Sequence, residues 1–475
     1  MAHTVEKIGG TSMSRIDELR DTLILGGRTG ADVYGRIFVV SAFGGITNLL
    51  LEHKKTGEPG VFAAFAGAGA GGDHQWHDRL DRVAEAMTEA HHRALDHAGD
   101  IEQADAFLRD RLLGARNCLI DLQRLCSYGH FRLSEHMAQT RELLSGLGEA
   151  HSAFVTTLLL QRAGVNARFV DLSGWQDQGE VGLDDRILQA MEGIDPAAEM
   201  PIVTGYAQCA EGLMREYDRG YSEVTFSRLA ALTGAREAII HKEFHLSSAD
   251  PALVGQHAVR KLERTNYDVA DQLSNLGMEA IHPKAAKTLR QACVPLRVTN
   301  AFEPDDPGTL IDDSPPEAPA VEIVTGLDLY ALELFEQDMV GVKGYDAAIL
   351  DVLTRHAVRI VSKVSNANTI THYVDVSLKI LRRVEKDLEA LYPSAQISSR
   401  AVSMASVVGR DLSGLSALTR GLQAIAGAGA EAIGASQGPR NVDVQFIVDR
   451  EALRTVIIAL HRALVEQPRV ALKAA

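Results

Sequence analysis

Lys7 stands just ahead of two glycines and two hydroxyl residues, Gly9, Gly10, Thr11 and Ser12. Paired glycines add backbone entropy to the cost of folding, so the stretch calls for a compensating interaction. An anion supplies one, because glycine lets backbone N–H groups come close to a phosphate and lysine adds a compact charge. The same residues also suit a tight turn carrying a surface lysine. No GxxxxGK[ST] motif occurs in the chain, so this is not a Walker A loop. Three further small-residue turns favour the anion: Ser41 to Asn48, Thr204-Gly205-Tyr206 and Arg219-Gly220-Tyr221-Ser222-Glu223. Each would set amides and hydroxyls at the carboxyl end of a strand, where open α/β sheets bind ligands.

The elements that must position these turns alternate. Thr4–Lys7 reads as a strand, Ile16–Leu25 has helical spacing, and Arg36–Ala42 is an apolar strand running into Gly44–Asn48 and a leucine-rich helix start. Residues 57–73 are Gly/Ala-rich and read as a flexible connector or a mobile lid. Two helices are predicted within residues 76–127. Helices at Ala150–Ala163 and Glu223–Thr233, and mostly over Val254–Leu276, alternate with strands at Val165–Val170, Met200–Thr204, Ala238–His241 and Pro295–Thr299. That order predicts a largely parallel sheet covered on both faces. Three prolines in Ile311–Ala320 mark a linker and a domain boundary. Beyond it, strands at Tyr330–Phe335, Val358–Val364, Val402–Val408, Ala432–Ser436 and Val442–Val448 interleave with helices at Tyr345–Thr354, Val376–Leu391, Gly414–Ala426 and Arg450–Leu464. The second half therefore reads as two small βαββαβ-like units.

At 475 residues the chain has room for two to four domains, and 46% hydrophobic content supplies an ordinary core. A formal charge of −15 argues against general nucleic-acid binding, which needs a basic face, while leaving room for a local pocket for a small anion. The four cysteines form no CxxC and lack zinc spacing, as expected of reduced thiols in a cytoplasmic protein. No signal-peptide pattern and no run of membrane-spanning length is apparent, so no membrane partner is expected.

Lys-x-Gly-Gly-Thr-Ser at the start, Val39-Val40-Ser41-Ala42 with Gly45-Ile46-Thr47-Asn48, and Gly148-Glu149 before a helix together resemble aspartokinase. So do "GMEAIHP" at 277–283 and "VPLRVTNAFEPDDPGTLI" at 294–311, while Val407-Val408-Gly409 and "ASQGPRNVDVQFIV" at 435–448 resemble paired ACT regulatory domains. The resemblance covers nearly the whole chain. It implies an α/β fold: an amino-acid-kinase αβα sandwich over residues 1–312 with a mainly parallel sheet, then two ferredoxin-like α+β ACT domains at 321–395 and 401–470, separate or interleaved. It implies a phosphotransferase with a carboxyl acceptor, making 4-phospho-L-aspartate and ADP from L-aspartate and ATP.

The chemistry is consistent with that resemblance. A carboxylate is ionised at neutral pH and is its own nucleophile, so the enzyme needs positioning and charge neutralisation rather than a strong base. Mg²⁺, accompanying ATP, would be held mainly by phosphate oxygens and water. Carried over by the resemblance, the catalytic set is Lys7, Arg219 and Glu149. Lys7 would meet the β- and γ-phosphates, with Gly9, Gly10, Ser12, Gly220, Ser222 and Lys242 at the nucleotide. Ser41 and Thr47 would line the aspartate pocket, Glu149 would pair with the substrate ammonium, and Arg219 would clamp the α-carboxylate in a bidentate fork. Taken alone, Glu149 also suits a helix-end charge and Arg219 a surface ion pair.

Several positions depart from the family. Tyr221 replaces a glycine and would add bulk near the nucleotide; Glu223 replaces an aspartate; His241-Lys242-Glu243 stands where a Thr-Asp pair is usual; and Glu279 replaces a lysine. These departures resemble the aspartokinase variant linked to ectoine synthesis in salt-tolerant bacteria. In the tail, Ser362, Asn366 and Asn368 suit either an amino-acid effector, lysine or threonine by resemblance, or plain turn formation. ACT pairing implies a homo-oligomer. Two other readings remain open: a related kinase acting on glutamate, carbamate or a nucleoside monophosphate, and an amino-acid-binding regulatory protein with a decayed kinase site.

Overall fold

The computed structural model describes residues 3–68, 75–177, 179–217, 220–278 and 281–467. The chain divides into two compact units, one of residues 1–246 and 281–313, the other of 247–280 and 314–475. The division after Asp313 falls in the proline-rich segment. Residues 247–280, read from sequence as part of the catalytic region, cluster instead with the second unit.

The first unit is built on β1 (Thr4–Ile8), β2 (Arg36–Val40), β3 (Ala167–Val170), β4 (Met200–Thr204) and β5 (Glu237–Lys242). After β6 (Arg264–Asn266), which lies in the second unit's segment, it is completed by β7 (Leu296–Asn300) and β8 (Thr309–Asp312). Its strands lie in the order β3-β4-β2-β1-β5-β7-β8. All pairings are parallel except β7 with β8. Every residue of β1, β2 and β4 is buried, as expected of strands covered by helices on both faces. The sequence reading of an α/β fold with a mainly parallel sheet matches this architecture.

Two elements differ from the reading. The Gly/Ala-rich connector begins with a helix, Val61–Ala68, because Val61 and Phe65 are fully buried and Phe65 meets Trp76 edge-on at 5.6 Å. Residues 69–74 lie outside the described residues. Val254–Leu276 is not one helix: a short helix, Pro251–Val254, stops at Gly255 with φ +90°, and a new helix starts at Tyr267, capped by the Asn266 side chain on Val269 N–H.

The segment Leu133–Arg162 is long and apolar enough to cross a membrane by length and composition, yet 89% of its most apolar window is buried within the protein. It serves as a core element, carrying Gly148, Glu149 and His151 through the first unit.

In the second unit, β9 (Ile323–Phe335) and β12 (Gln396–Val408) pair antiparallel along their full lengths, from Ile323↔Val408 to Phe335↔Gln396. With β10 (Arg359–Ser365), β11 (Thr369–Asp375), β13 (Ala432–Gln437) and β14 (Asp443–Val448), they form one sheet ordered β10-β11-β9-β12-β14-β13. Of β9, strand β11 pairs with Tyr330–Phe335 alone, and of β12, β14 pairs with Ser403–Val408 alone. Two cores follow. Leu332, Leu334, Ile349, Val374, Leu381 and Leu388 form one. Val324, Val407, Ile425, Phe446, Val456 and Leu460 form the other. Each long strand thus begins in one module and ends in the other, so the two βαββαβ-like units are interleaved.

Candidate active site

Adjacent strand residues face opposite sides of a sheet, so Glu6 and Lys7 on β1 enter different environments. Glu6 accepts from Arg36 Nε at 2.7 Å, Arg36 Nη2 at 2.8 Å and the Thr4 hydroxyl at 2.8 Å, and pairs with His241 Nε2 at 2.9 Å. Burial alone would raise its pKa, but Arg36 and His241 outweigh burial and hold the carboxyl far below the usual range. His241 Nδ1 lies 2.7 Å from the Thr299 hydroxyl. The histidine that stands in the family's Thr-Asp position is therefore committed to this buried network.

Lys7 is only 6% exposed. Its Nζ lies 4.0 Å from Glu223 Oε1, and Lys242 Nζ lies 4.0 Å from the same oxygen. The other Glu223 oxygen accepts from the His282 backbone N–H. Glu223 sits in the first turn of the helix Tyr221–Leu232, whose N-cap is Gly220. A Cβ on Gly220 would come within 2.4 Å of the His282 ring, so this close approach requires glycine.

Glu149 is the other buried carboxyl here. It accepts from the Tyr206 and Ala42 backbone N–H groups and from the Tyr221 hydroxyl, and it feels the charge of Lys7. Burial outweighs these contacts and pushes its pKa up to about 8. Its Oε2 has no hydrogen-bond partner among the described residues. Tyr221 is buried and meets Tyr206 edge-on at 5.6 Å. Its hydroxyl turns to Glu149, a contact beyond the bulk that the sequence signalled.

The small-residue turns converge on this carboxyl. A Cβ on Gly205 would come within 2.7 Å of Ser222 Cβ, 2.9 Å of Glu149 Oε2 and 2.9 Å of Val40 O. A Cβ on Gly148 would lie 2.9 Å from Ala42 and 3.0 Å from Ile46, which packs the Ser41–Thr47 segment against the helix bearing Glu149. The Ser41 carbonyl is pinned by the Ser152 hydroxyl at 2.8 Å, and Thr47 lies in the short helix Ile46–Leu50 entered through Gly45 at φ +86°. Gly10 packs tightly, with a Cβ 2.9 Å from Ala42 O, whereas a Cβ on Gly9 would have no neighbour closer than 3.9 Å. The Gly9 glycine is thus not demanded by the protein's own packing. Ser12 donates its N–H and hydroxyl to Glu243 Oε1 at 3.1 and 2.8 Å.

Lys7, Glu149, Gly205, Ser222, Glu223 and Lys242 thus gather around the carboxyl ends of β1, β2, β4 and β5, flanked by Gly9 and Gly10. Arg219 and Glu279 lie outside the described residues. Tyr206, Glu243 and His282 each fall in a stretch the sequence singled out, Thr204-Gly205-Tyr206, His241-Lys242-Glu243 and residues 277–283, but the part each plays was not legible there. In the second unit, Asn366 Oδ1 accepts from the Asn368 and Thr369 N–H groups at 3.1 and 2.9 Å, and Asn368 Oδ1 accepts from the Thr369 hydroxyl. Ser362 donates to Gln445 at 2.8 Å.

The donor set suits a divalent metal brought in on a nucleotide. Glu223 is engaged by the His282 N–H and two lysines and Glu243 by the Ser12 N–H and hydroxyl, and among the described residues the one His/Cys/Asp/Glu cluster with metal-ligand spacing lies elsewhere, at His91, His92 and Asp105.

Residues 3–300 match the amino acid kinase family. The aspartate kinase Ask_Ect of Stutzerimonas stutzeri is 50% identical over 466 residues, covering 98% of each chain. The aspartokinase of Saccharomyces cerevisiae is 24% identical over 77% of this chain and 78% of its own. Among solved structures, E. coli aspartokinase III in complex with lysine and aspartate superposes with a TM-score of 0.72 at 17% identity, covering 98% of this chain and 99% of that one. The same enzyme with aspartate and ADP gives 0.71 at 18% identity, covering 97% and 99%.

Proposed function

Since this chain belongs to the amino acid kinase family, we propose that its buried lysine–carboxylate cleft is the active site of an aspartate kinase of the ectoine-associated type. It transfers the terminal phosphoryl group of ATP to the side-chain carboxylate of L-aspartate. The observation that carries the reading is the meeting of Lys7 with Glu149, Gly205 and Ser222 at the ends of parallel strands.

A β-carboxylate oxygen of aspartate attacks the γ-phosphorus, the bond to the β-phosphate oxygen breaks, and ADP leaves with the electron pair. No proton need be removed from the nucleophile, so catalysis rests on placement and charge. Lys7 offsets the charge that gathers on the transferring oxygens. Glu223 holds Lys7 and Lys242 together, and Lys242 supplies a second cation for the phosphates where Glu279 has removed one. Gly9, with room beside it, lets the backbone approach the nucleotide, with Gly10, Ser12, Gly220 and Ser222 completing the cradle. Ser41 and Thr47 line the acceptor side and Arg219 takes the α-carboxylate. Glu149, neutral when the site is empty, ionises to receive the substrate ammonium. The divalent ion is Mg²⁺, which neutralises phosphate charge when bound. The second unit binds an amino-acid effector and joins copies of the chain into a cytoplasmic homo-oligomer.

The test is hydroxamate formation dependent on both ATP and aspartate, run beside an acceptor panel read by ADP release. Aspartate should be the strong acceptor. Strong turnover of glutamate without aspartate would move the assignment to another acceptor, and no ADP release with any acceptor would leave an effector-binding protein.

A further inference from the structure

Behind the aspartate side of the cleft, three helices meet through histidines. His91 lies on Gln75–Ala94, Asp105 on Ala98–Cys126 and His151 on Met137–Arg162. His151 follows Glu149 by two residues and meets Phe43 edge-on at 5.6 Å. Its Nε2 lies 3.0 Å from His91 Nδ1, and His91 Nε2 lies 3.0 Å from Asp105 Oδ1. His92 Nε2 approaches the same carboxylate oxygen at 3.6 Å. One atom from each of His91, His92 and Asp105 falls within a 4.8 Å group.

We propose that His91, His92 and Asp105 form a binding site for a transition-metal dication of the zinc class, separate from the phosphoryl-transfer site. Tetrahedral ligands at about 2.0–2.1 Å from a metal stand about 3.3–3.4 Å apart, a spacing bracketed by the contacts to Asp105. Two imidazoles and one carboxylate are a zinc-type donor set that leaves a fourth position open. The side chains of His92 and Asp105 are 49% and 35% exposed, which gives the ion access from solvent and lets both adjust, while His91 is fully buried and fixed.

His151 supplies the support that ligating histidines usually have, a partner on the other ring nitrogen. Its Nε2, 3.0 Å from His91 Nδ1, is placed to accept a hydrogen bond from that nitrogen. When His91 donates from Nδ1 to His151, its Nε2 lone pair faces the Asp105 carboxylate, and two acceptors 3.0 Å apart need a cation between them. The opposite tautomer, with the proton on Nε2, satisfies Asp105 without a metal. Binding therefore selects the first tautomer and clasps two helices over the one carrying Glu149.

The experiment is titration of chelator-stripped, full-length protein with Co²⁺ near neutral pH, followed by visible absorption, and with Zn²⁺, followed by melting temperature. Wild type should take up one equivalent of Co²⁺ with the strong bands of low-coordinate cobalt, and Zn²⁺ should raise its melting temperature. His92→Ala and Asp105→Asn, both at partly exposed positions, should fold normally, lose at least about 10-fold in affinity and lose the Zn²⁺ shift. Binding that is equal in wild type and both variants, or the lack of stoichiometric uptake by wild type, would overturn the proposal.

Discussion

The Nζ of Lys7 lies 4.0 Å from Oε1 of Glu223, with 7% and 15% of the two side chains exposed. That oxygen also holds Lys242 at 4.0 Å, so one carboxylate sets the position of two cations. Lys7→Ala should lower kcat by about 10²-fold or more, because the lost charge acts where negative charge develops in transfer. Glu223→Gln should keep both lysines but loosen them, raising the KM for ATP more than it lowers kcat. Steady-state kinetics coupled to ADP release, with thermal melts to confirm folding, checks both. Wild-type turnover by the Lys7 variant would remove the lysine from the mechanism.

Glu149 makes the empty cleft sensitive to pH. Its folded pKa is raised from 4.5 to about 8, so between those values the folded protein keeps a proton that the unfolded chain has released. The group's contribution to stability is therefore full below pH 4.5 and is lost as pH rises through about 8. Glu149→Gln, which cannot ionise, should flatten that decline and be relatively more stable at the alkaline end. It should also weaken aspartate binding by about 2–5 kcal/mol, roughly 30-fold or more, because a buried charge partner is gone. Aspartate binding to wild type near neutral pH should release a proton, seen as a calorimetric heat that changes with the buffer's ionisation enthalpy. Buffer-independent heats would show that Glu149 is already ionised.

The parallel sheet was legible because its strands are short apolar runs, and the glycine turns after β1, β2 and β4 marked the site. Packing that joins distant segments was not legible. In the sequence Tyr221 showed only as added bulk in a glycine position, because only its neighbours in sequence were visible. Its contacts with Tyr206 and Glu149 come from the turn after β4 and from the helix Met137–Arg162. His241 likewise showed only as a departure from a Thr-Asp pair, and its partners, Glu6 and Thr299, lie on β1 and β7. The helix Val61–Ala68 was missed because small residues signal flexibility locally, while burial of Val61 and Phe65 is a tertiary effect. The split of each small α+β unit across β9 and β12 was hidden because a long strand carries no mark where one core ends and the next begins.

The glycines separate packing from ligand approach. Gly205→Ala would set a Cβ within 2.9 Å of Glu149 and Val40 O, and should cost about 1–3 kcal/mol of stability as well as activity. Gly9 has φ −74° and ψ 159°, open to any residue, and no atom within 3.9 Å of an added Cβ. Gly9→Ala should leave stability within about 0.5 kcal/mol of wild type while raising the KM for ATP. Chemical denaturation beside ATP kinetics distinguishes the two. An unchanged KM in the Gly9 variant would mean that the nucleotide does not come close there.

Asn366 tests whether the hairpin between β10 and β11 reads an effector or only holds its shape. Its amide oxygen already accepts two backbone N–H groups of its own turn, from Asn368 and Thr369, which leaves only the Nδ2 hydrogens for a ligand. Ser362 is different. Its hydroxyl meets Gln445 of β14, joining two strands that are not neighbours in the six-stranded sheet rather than residues within one turn. Asn366→Ala should destabilise the protein by about 0.5–1 kcal/mol, the worth of exposed turn hydrogen bonds, and leave any inhibition by lysine or threonine close to wild type. Ser362→Ala should barely change the melting temperature but shift the inhibitor concentration needed for half effect. Inhibition curves for the two amino acids, measured with both variants at matched turnover, decide the matter. If the Asn366 variant loses inhibition while the Ser362 variant keeps it, the ligand contacts the hairpin tip and the turn is more than a scaffold.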